Sequence, residues 1–311
     1  MKKFLVTGAF GQIGSELVPA LQQKYGVENI IAMGNRNIPQ DFAGVVEKLE
    51  LPNFEGLKTL IKKYDVGEIY HMVSLLSAKG EEVPDLAWEV NVQSLKDVLD
   101  LAREYKLKVF WPSSIAAFGP TTPRENTPQQ TILEPTTMYG VTKVAGELLC
   151  QYYHFKYGID IRSVRYPGLI SIEVEPSGGT TDYAAAIYFQ AVKNGQYTFY
   201  VRPDTTLPMM YMDDAVKGTI QLMETKANKL TIHTSYNFAA MSFQAHEVAE
   251  EIQKHMKLKV DYQPDHRQAI ADSWPQSIDD SVARKDWGWQ HEYDLAKMTE
   301  RMLSGIKERF K

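Results

Sequence analysis

Phe4-Leu5-Val6-Thr7-Gly8-Ala9-Phe10-Gly11-Gln12-Ile13-Gly14 is the stretch on which the reading of the whole chain turns. Phe4-Leu5-Val6 is a short unbroken apolar run, the pattern of a strand covered on both faces. Three glycines follow at three-residue spacing, and Ile13, Leu17, Val18 and Leu21 then recur at helical period. A strand turning through glycines into a helix brings backbone N–H groups and the positive end of a helix dipole to one point. Such a turn cradles a phosphate, and the missing side chains let a pyrophosphate approach the backbone.

Outward from this turn the same rhythm repeats. Ile30-Ile31-Ala32-Met33 reads as a second strand, and residues 54–64 as a helix with Leu57, Leu60 and Ile61 on one face. Residues 68–73 form another strand, residues 90–105 a long helix, and Lys108-Val109-Phe110-Trp111 a strand ended by Pro112. A helix over 138–157 and a strand over 161–165 complete the series. Alternating strands and helices at this spacing predict an α/β fold, a doubly wound parallel sheet with right-handed crossovers. After Pro167 the alternation loosens. We therefore expect a dinucleotide-binding domain over residues 1–168, with parts of 205–240 returning to it. Residues 169–204 and 241–311 are expected to form a smaller substrate-binding lobe.

The 311 residues carry a net charge of −5, which argues against a nucleic-acid or anionic-membrane partner. Cys150 is the one cysteine, so no intramolecular disulfide can form, and its apolar neighbours Leu148 and Leu149 predict a buried, inert thiol. The apolar run at the start is too short for a signal segment or a membrane span, and a cytoplasmic location is expected. No thiolate cluster and no histidine pair at ligand spacing is present, so no metal is expected. The histidines 71, 154, 233 and 246 stand apart in sequence and read as core or surface residues, and Met209, Met210 and Met212 as packing.

Tyr139-Gly140-Val141-Thr142-Lys143 sets a phenol and an ammonium four residues apart, on one helix face. An ordinary tyrosine titrates near 10, too high for a base at neutral pH, and a neighbouring cation is expected to lower it. The pair is then suited to take a proton from an alcohol. Ser114 follows the strand that ends at Pro112, where its hydroxyl can polarise a substrate oxygen or simply shape a turn. Asn91 opens the long helix, as an N-cap or as part of the site. The second strand ends Met33-Gly34-Asn35-Arg36, without the acid that commonly holds the adenosine ribose. Asn35 can bond the ribose hydroxyls, or Arg36 can meet a 2′-phosphate, so these residues leave NAD and NADP open.

The order of these motifs over residues 1–240 resembles the extended branch of the short-chain dehydrogenase/reductase superfamily, an NAD-dependent epimerase/dehydratase-like family. The resemblance implies a Rossmann fold, Tyr139 as acid/base, Lys143 on the nicotinamide ribose and Ser114 on the substrate. It also implies cofactor contacts from Gly8, Gly11, Gln12, Ile13, Gly14, Asn35, Arg36, Glu50, Leu51, Asn91, Tyr139, Lys143 and Tyr166. The branch's nucleotide-sugar enzymes typically carry R-x-x-N-x-x-G, whose Asn contacts a diphosphate, whereas here Arg165-Tyr166-Pro167-Gly168 has glycine in its place. Residues 73–81, 176–184 and 205–215 are similar to the epimerase-like L-threonine 3-dehydrogenases. That similarity implies NAD-dependent, metal-independent oxidation of the L-threonine β-hydroxyl to 2-amino-3-oxobutyrate, by a homodimer formed through the helices of 91–105 and 139–157. Ser74, Ser77, Ser114, Thr180 and Thr181 are plausible substrate contacts. Asp182 either faces the ammonium or caps the helix beginning near Tyr183. A nucleotide-sugar epimerase or dehydratase, and a non-enzymatic NAD(H) sensor, are the rival readings.

Overall fold

The computed structural model describes residues 2–176 and 178–310. Ser177, inside the loop read over 176–182, lies outside the described residues. In chain order the elements begin β1 (Lys3–Thr7), α1 (Gly14–Tyr25), β2 (Ile30–Met33), β3 (Val45–Glu47), α2 (Phe54–Tyr64) and β4 (Val66–His71). Two short helices, α3 (Ser77–Glu82) and α4 (Pro84–Trp88), lead through a single π-helical turn (Glu89–Gln93) into α5 (Ser94–Tyr105). Next come β5 (Lys108–Ser114), α6 (Met138–Tyr157), β6 (Ile161–Tyr166), β7 (Gly168–Ile170), α7 (Tyr183–Asn194), β8 (Gln196–Phe199), β9 (Thr206–Tyr211) and α8 (Met212–Glu224). The chain ends with β10 (Tyr236–Asn237), β11 (Met241–Gln244), α9 (Ala245–Gln253), β12 (Lys259–Tyr262), α10 (Arg267–Asp272), α11 (Ser281–Trp287) and α12 (Leu295–Arg309).

The main sheet has seven strands in the order β10-β6-β5-β4-β1-β2-β3. Its order reverses between β1 and β4, which pair in parallel from Phe4↔Glu68 to Thr7↔His71. A doubly wound sheet opens its ligand crevice at such a reversal, beyond the carboxyl ends of the strands. Leu5, Ile31 and Ile69 from the sheet pack with Leu57 and Ile61 of α2 and Leu95, Val98 and Leu99 of α5, all but excluded from solvent. These are the periodic positions read from the sequence. Removing that apolar surface from water is what fixes the helices on the sheet.

By contacts the chain divides into two units. The first comprises Met1–Ser114, Thr137–Arg165 and Val216–Tyr236. The second comprises Ile115–Thr136, Tyr166–Ala215 and Asn237–Lys311. Residues 115–136, expected in the first domain, fall in the second unit, where Thr127 bridges to Ile278 and Gln129 accepts from Asn237 N at 2.7 Å. Within residues 205–240, β9 pairs with β7 and β11 in a three-stranded sheet, and β10 alone joins the main sheet. The second unit is centred on aromatic side chains, with Phe238 4.4 Å from Trp289 and 5.7 Å from Trp287. Met209, Met210 and Met212 are fully buried there, as packing residues.

Two boundaries differ from the sequence reading. β5 continues through Pro112 to Ser114, past Phe110, the last of its residues registered against β4. Asn91 does not cap the long helix; it is buried inside the π turn, which turns its amide inward.

Candidate active site

The glycine turn has the geometry a pyrophosphate needs. Gly8 has φ +66°, and a Cβ on it would stand 2.9 Å from Val73 N, in the loop after β4. A Cβ on Gly14 would stand 2.3 Å from Gly8 O, so the turn closes only without one. Ile13 precedes α1 with no side-chain cap, leaving the helix N-terminus to backbone groups alone. This fits an anion at that end of the helix. Gly11 is exposed, Gln12 and Ile13 are half-buried, and Gly14 is buried.

The acid missing from the end of β2 has a steric cause. A Cβ on Gly34 would strike Phe10 Cδ2 at 2.7 Å, and Phe10 is itself braced edge-on by Phe42. A carboxylate reaches the neighbourhood from the loop after β3. Asn35 Nδ2 donates to Glu50 Oε1 at 3.4 Å, while Arg36 is exposed and Leu51 is buried.

Tyr139, Lys143, Ser114 and Ser74 belong to one unit and come together. The Ser114 and Ser74 hydroxyls lie against the phenol oxygen of Tyr139 and favour its ionised form. Lys143 Nζ donates to Pro112 O at 2.7 Å and stands 4.8 Å from the Trp111 ring and 5.2 Å from the Tyr139 ring. Burial pushes the Tyr139 phenol up to about 12, against the two serine contacts that lower it. In the protein alone, desolvation is the largest influence on the phenol. Burial also brings Lys143 down to about 7, against the field of Glu147, which raises it.

Asn91 is the clamp of this group. Its Oδ1 accepts from Leu75 N at 2.6 Å and from Ser74 Oγ at 3.3 Å, and its Nδ2 donates to Leu75 O and to Thr142 Oγ1, both at 3.0 Å. It thus fixes the loop after β4 against α6, one residue before Lys143. Ser77 begins α3, whose Glu81 accepts from Met138 N at 2.6 Å at the start of α6. The role of Ser74 on the phenol was missed from sequence, because only the fold brings the β4 loop to α6.

His71, read as isolated, is buried between Thr7 Oγ1 at 2.8 Å and Ser94 Oγ at 3.0 Å. Burial and then the Lys143 charge bring it down to about 3, so it is a neutral strut joining β1, β4 and α5. His154 and His233 are also not isolated, since their rings stack at 3.8 Å. Cys150 is buried, with its thiol pushed up by desolvation, as expected of an inert cysteine.

In the second unit Tyr166 is buried with its ring edge-on to Phe238. Thr180 is buried, and Thr181 packs against Gly168, where a Cβ would lie 2.9 Å from Thr181 Cβ and 2.3 Å from Met209 Sδ. Any side chain at 168 therefore has to displace Met209 and Thr181. Gly168→Asn is expected to cost about 1–3 kcal/mol through overpacking, seen as a lower Tm, without creating affinity for a sugar nucleotide.

Asp182 stands at the N-terminus of α7 but makes no cap bond forward to that helix. Its Oδ2 instead accepts from Gly178 N at 2.9 Å and Gly179 N at 2.8 Å, folding the loop back on itself. Tyr200 donates to Gly179 O at 2.7 Å, and the Arg267 guanidinium lies 3.2 Å over the Tyr200 ring. Asp182→Ala removes the acceptor for two amides and is expected to destabilise the loop by about 1–3 kcal/mol, whereas Asp182→Asn keeps an oxygen there and holds Tm near wild type. Proteolytic nicking within 176–182 in the alanine variant, absent in the asparagine variant, checks this.

A glycine-turned α/β sheet with a Tyr-Lys-Ser group beyond its strand ends defines a nicotinamide-dependent Rossmann protein. The NAD dependent epimerase/dehydratase family model matches residues 4–239, and the chain belongs to that family. An uncharacterised epimerase/dehydratase of Staphylococcus haemolyticus is 51% identical, with 99% of each chain covered. The solved L-threonine dehydrogenase of Phytophthora infestans is 47% identical, with TM-score 0.97, 99% of this chain and 100% of that one covered. A monomeric L-threonine 3-dehydrogenase from a metagenome is also 47% identical, with TM-score 0.96, 99% of this chain and 100% of that one covered. Among the described residues, no helix is long and apolar enough to cross a membrane, and no three His, Cys, Asp or Glu side chains gather to hold a metal ion.

Proposed function

We propose that this protein oxidises the β-hydroxyl of L-threonine to 2-amino-3-oxobutyrate with NAD as hydride acceptor. The observation that carries the reading is full-length likeness to solved L-threonine dehydrogenases, at 47% identity. The filled position at Gly168 supports it, because the side chain that meets a sugar nucleotide's diphosphate in the epimerases has no room here. Gly8, Gly11 and Gly14 would hold the pyrophosphate, with Gln12 and Ile13 at the helix start. Asn35 and Glu50 would meet the adenosine end, where a carboxylate repels a 2′-phosphate and favours NAD over NADP.

When bound, NAD supplies the hydride acceptor and a positive ring beside the phenol. Tyr139 Oη takes the proton of the substrate hydroxyl, and Ser114 and Ser74 orient that oxygen and stabilise it as phenolate. Lys143, held by Pro112 O, adds positive charge beneath the phenol and a donor for the ribose. Ser77 is proposed as a hydroxyl donor to the substrate carboxylate.

The test is NADH formation followed at 340 nm with L-threonine and, in parallel, conversion of UDP-sugars followed by chromatography, because an epimerase or dehydratase returns its hydride and releases no NADH. Turnover of L-threonine alone is expected. Turnover of a UDP-sugar alone would establish the epimerase reading, and tight NAD(H) binding with no turnover the sensor.

We also infer a homodimer. α6 leaves Leu148, Tyr152 and Phe155 at 58, 53 and 68% exposure, an apolar face suited to the same helix of a second copy. Light scattering is expected to give twice the chain mass, and Leu148→Asp with Phe155→Asp to halve it. A monomeric wild-type chain would remove this inference.

A further inference from the structure

A buried charge cluster lies one helical turn beyond Lys143. Glu147, on the same face of α6, is 1% exposed, and its carboxylate is spanned from two strands. Oε1 accepts from Ser113 Oγ at 2.6 Å and from Arg165 Nε at 2.9 Å, and Oε2 accepts from Arg165 Nη2 at 2.7 Å. Ser113 directly precedes Ser114 on β5, and Arg165 is itself 3% exposed on β6.

We propose that Glu147, pinned by Arg165 and Ser113, is a positioning residue: it is the counter-ion that keeps Lys143 cationic and ties α6 to the strand that carries Ser114. The inference rests on the reading of Tyr139 and Lys143 as the working pair, and not on the identity of the substrate.

The surroundings of Lys143 leave this task to Glu147. On α6, Tyr139 is held protonated by burial, and the Cys150 thiol is pushed up, so neither carries charge at neutral pH. On β4, His71 is neutral. On β5, Trp111 offers a ring face and Pro112 a carbonyl. Glu147 is thus the acid whose field opposes the burial of Lys143, and Arg165 pairs with it at 2.7 Å. The order is cation, carboxylate, cation. Deleting the central charge leaves two buried cations, and only the lysine can shed its proton, since a guanidinium does not. A neutral Lys143 no longer favours Tyr139 as phenolate, so activity rises only at higher pH.

The experiment is ¹⁵N NMR of the Lys143 Nζ in lysine-labelled protein without cofactor or substrate, its signal assigned through Lys143→Arg. The wild-type midpoint is expected near 7. In Glu147→Gln it falls by about one pH unit or more, while Glu147→Asp, which keeps the charge, holds it within about half a unit. Where the single variant does not fold, Glu147→Gln with Arg165→Gln removes both charges together and gives a downward shift that is smaller, because a neighbouring cation is lost with the carboxylate. The acid limb of kcat/KM moves upward in the same variant. An unchanged midpoint in the folded variant overturns the proposal whatever the substrate. A shifted midpoint with no threonine turnover in wild type would sink only the functional reading.

Discussion

Tyr139→Phe lowers kcat for threonine oxidation by about 10²–10⁴-fold while cofactor affinity stays within a few fold, the loss expected on removing a general base. The phenylalanine fits the same space, and what disappears is the oxygen held between Ser114 and Ser74. Burial holds the phenol well above its usual value, so the empty protein opposes removal of its proton. Wild-type turnover should accordingly climb toward alkaline pH, and that rise should vanish in the variant. Steady-state kinetics with NADH fluorescence titration checks both halves. A variant keeping more than about a tenth of wild-type kcat would remove Tyr139 from the mechanism.

Lys143→Met is the second large effect, and it divides differently. The methionine roughly fills the volume against Trp111 but deletes the donor to Pro112 O and the cation beside Tyr139. Loss of a charge-assisted contact of about 1.5–3 kcal/mol weakens cofactor binding roughly 10- to 150-fold, and kcat falls as well because the phenol loses its cation. Tyr139→Phe spares binding; Lys143→Met does not. Lys143→Arg is expected to rescue poorly, because a planar fork does not replace a compact ammonium donating to one carbonyl between two rings. Unchanged cofactor affinity in Lys143→Met would place the lysine outside the ribose site.

Much of this was legible along the chain, for local reasons. The apolar run at 4–6 and the glycines at 8, 11 and 14 specify a strand, a turn and a helix by short-range sterics. The helix Met138–Tyr157 has the bounds that its sequence suggests, with Thr137 Oγ1 accepting from Gly140 N at 3.1 Å at one end and Gly158 in a left-handed conformation at the other. Tyr139 and Lys143 share a face because of helical period alone. The parallel sheet follows from the alternation of such elements, since each strand needs apolar cover on both sides.

Other features depend on groups distant in sequence. Arg162 and Arg165 read as polar residues in a strand. They are buried because the end of α8 and the residue after it offer Arg162 the carbonyls of Leu222, Met223 and Thr225, and α6 offers Arg165 the carboxylate of Glu147. Asn91 reads as a cap but is a clamp, because its partners Leu75 and Thr142 arrive from elements 16 and 51 residues away. Asp182 reads as a cap or an ammonium partner, and the fold of its own loop turns it back onto two amides. Gly34 and Gly168 read as departures from a motif, and each is explained by a side chain lying where its Cβ would be.

The local pattern thus carries the class of fold, the glycine turn and the placing of Tyr139 and Lys143 on one helix face, since period and turn chemistry act over a few residues. The charge states of Tyr139 and Lys143, the second serine on the phenol and the counter-ion behind the lysine come from assembly. Desolvation and hydrogen bonding depend on what the folded chain packs around a group, and no spacing along a sequence encodes that directly.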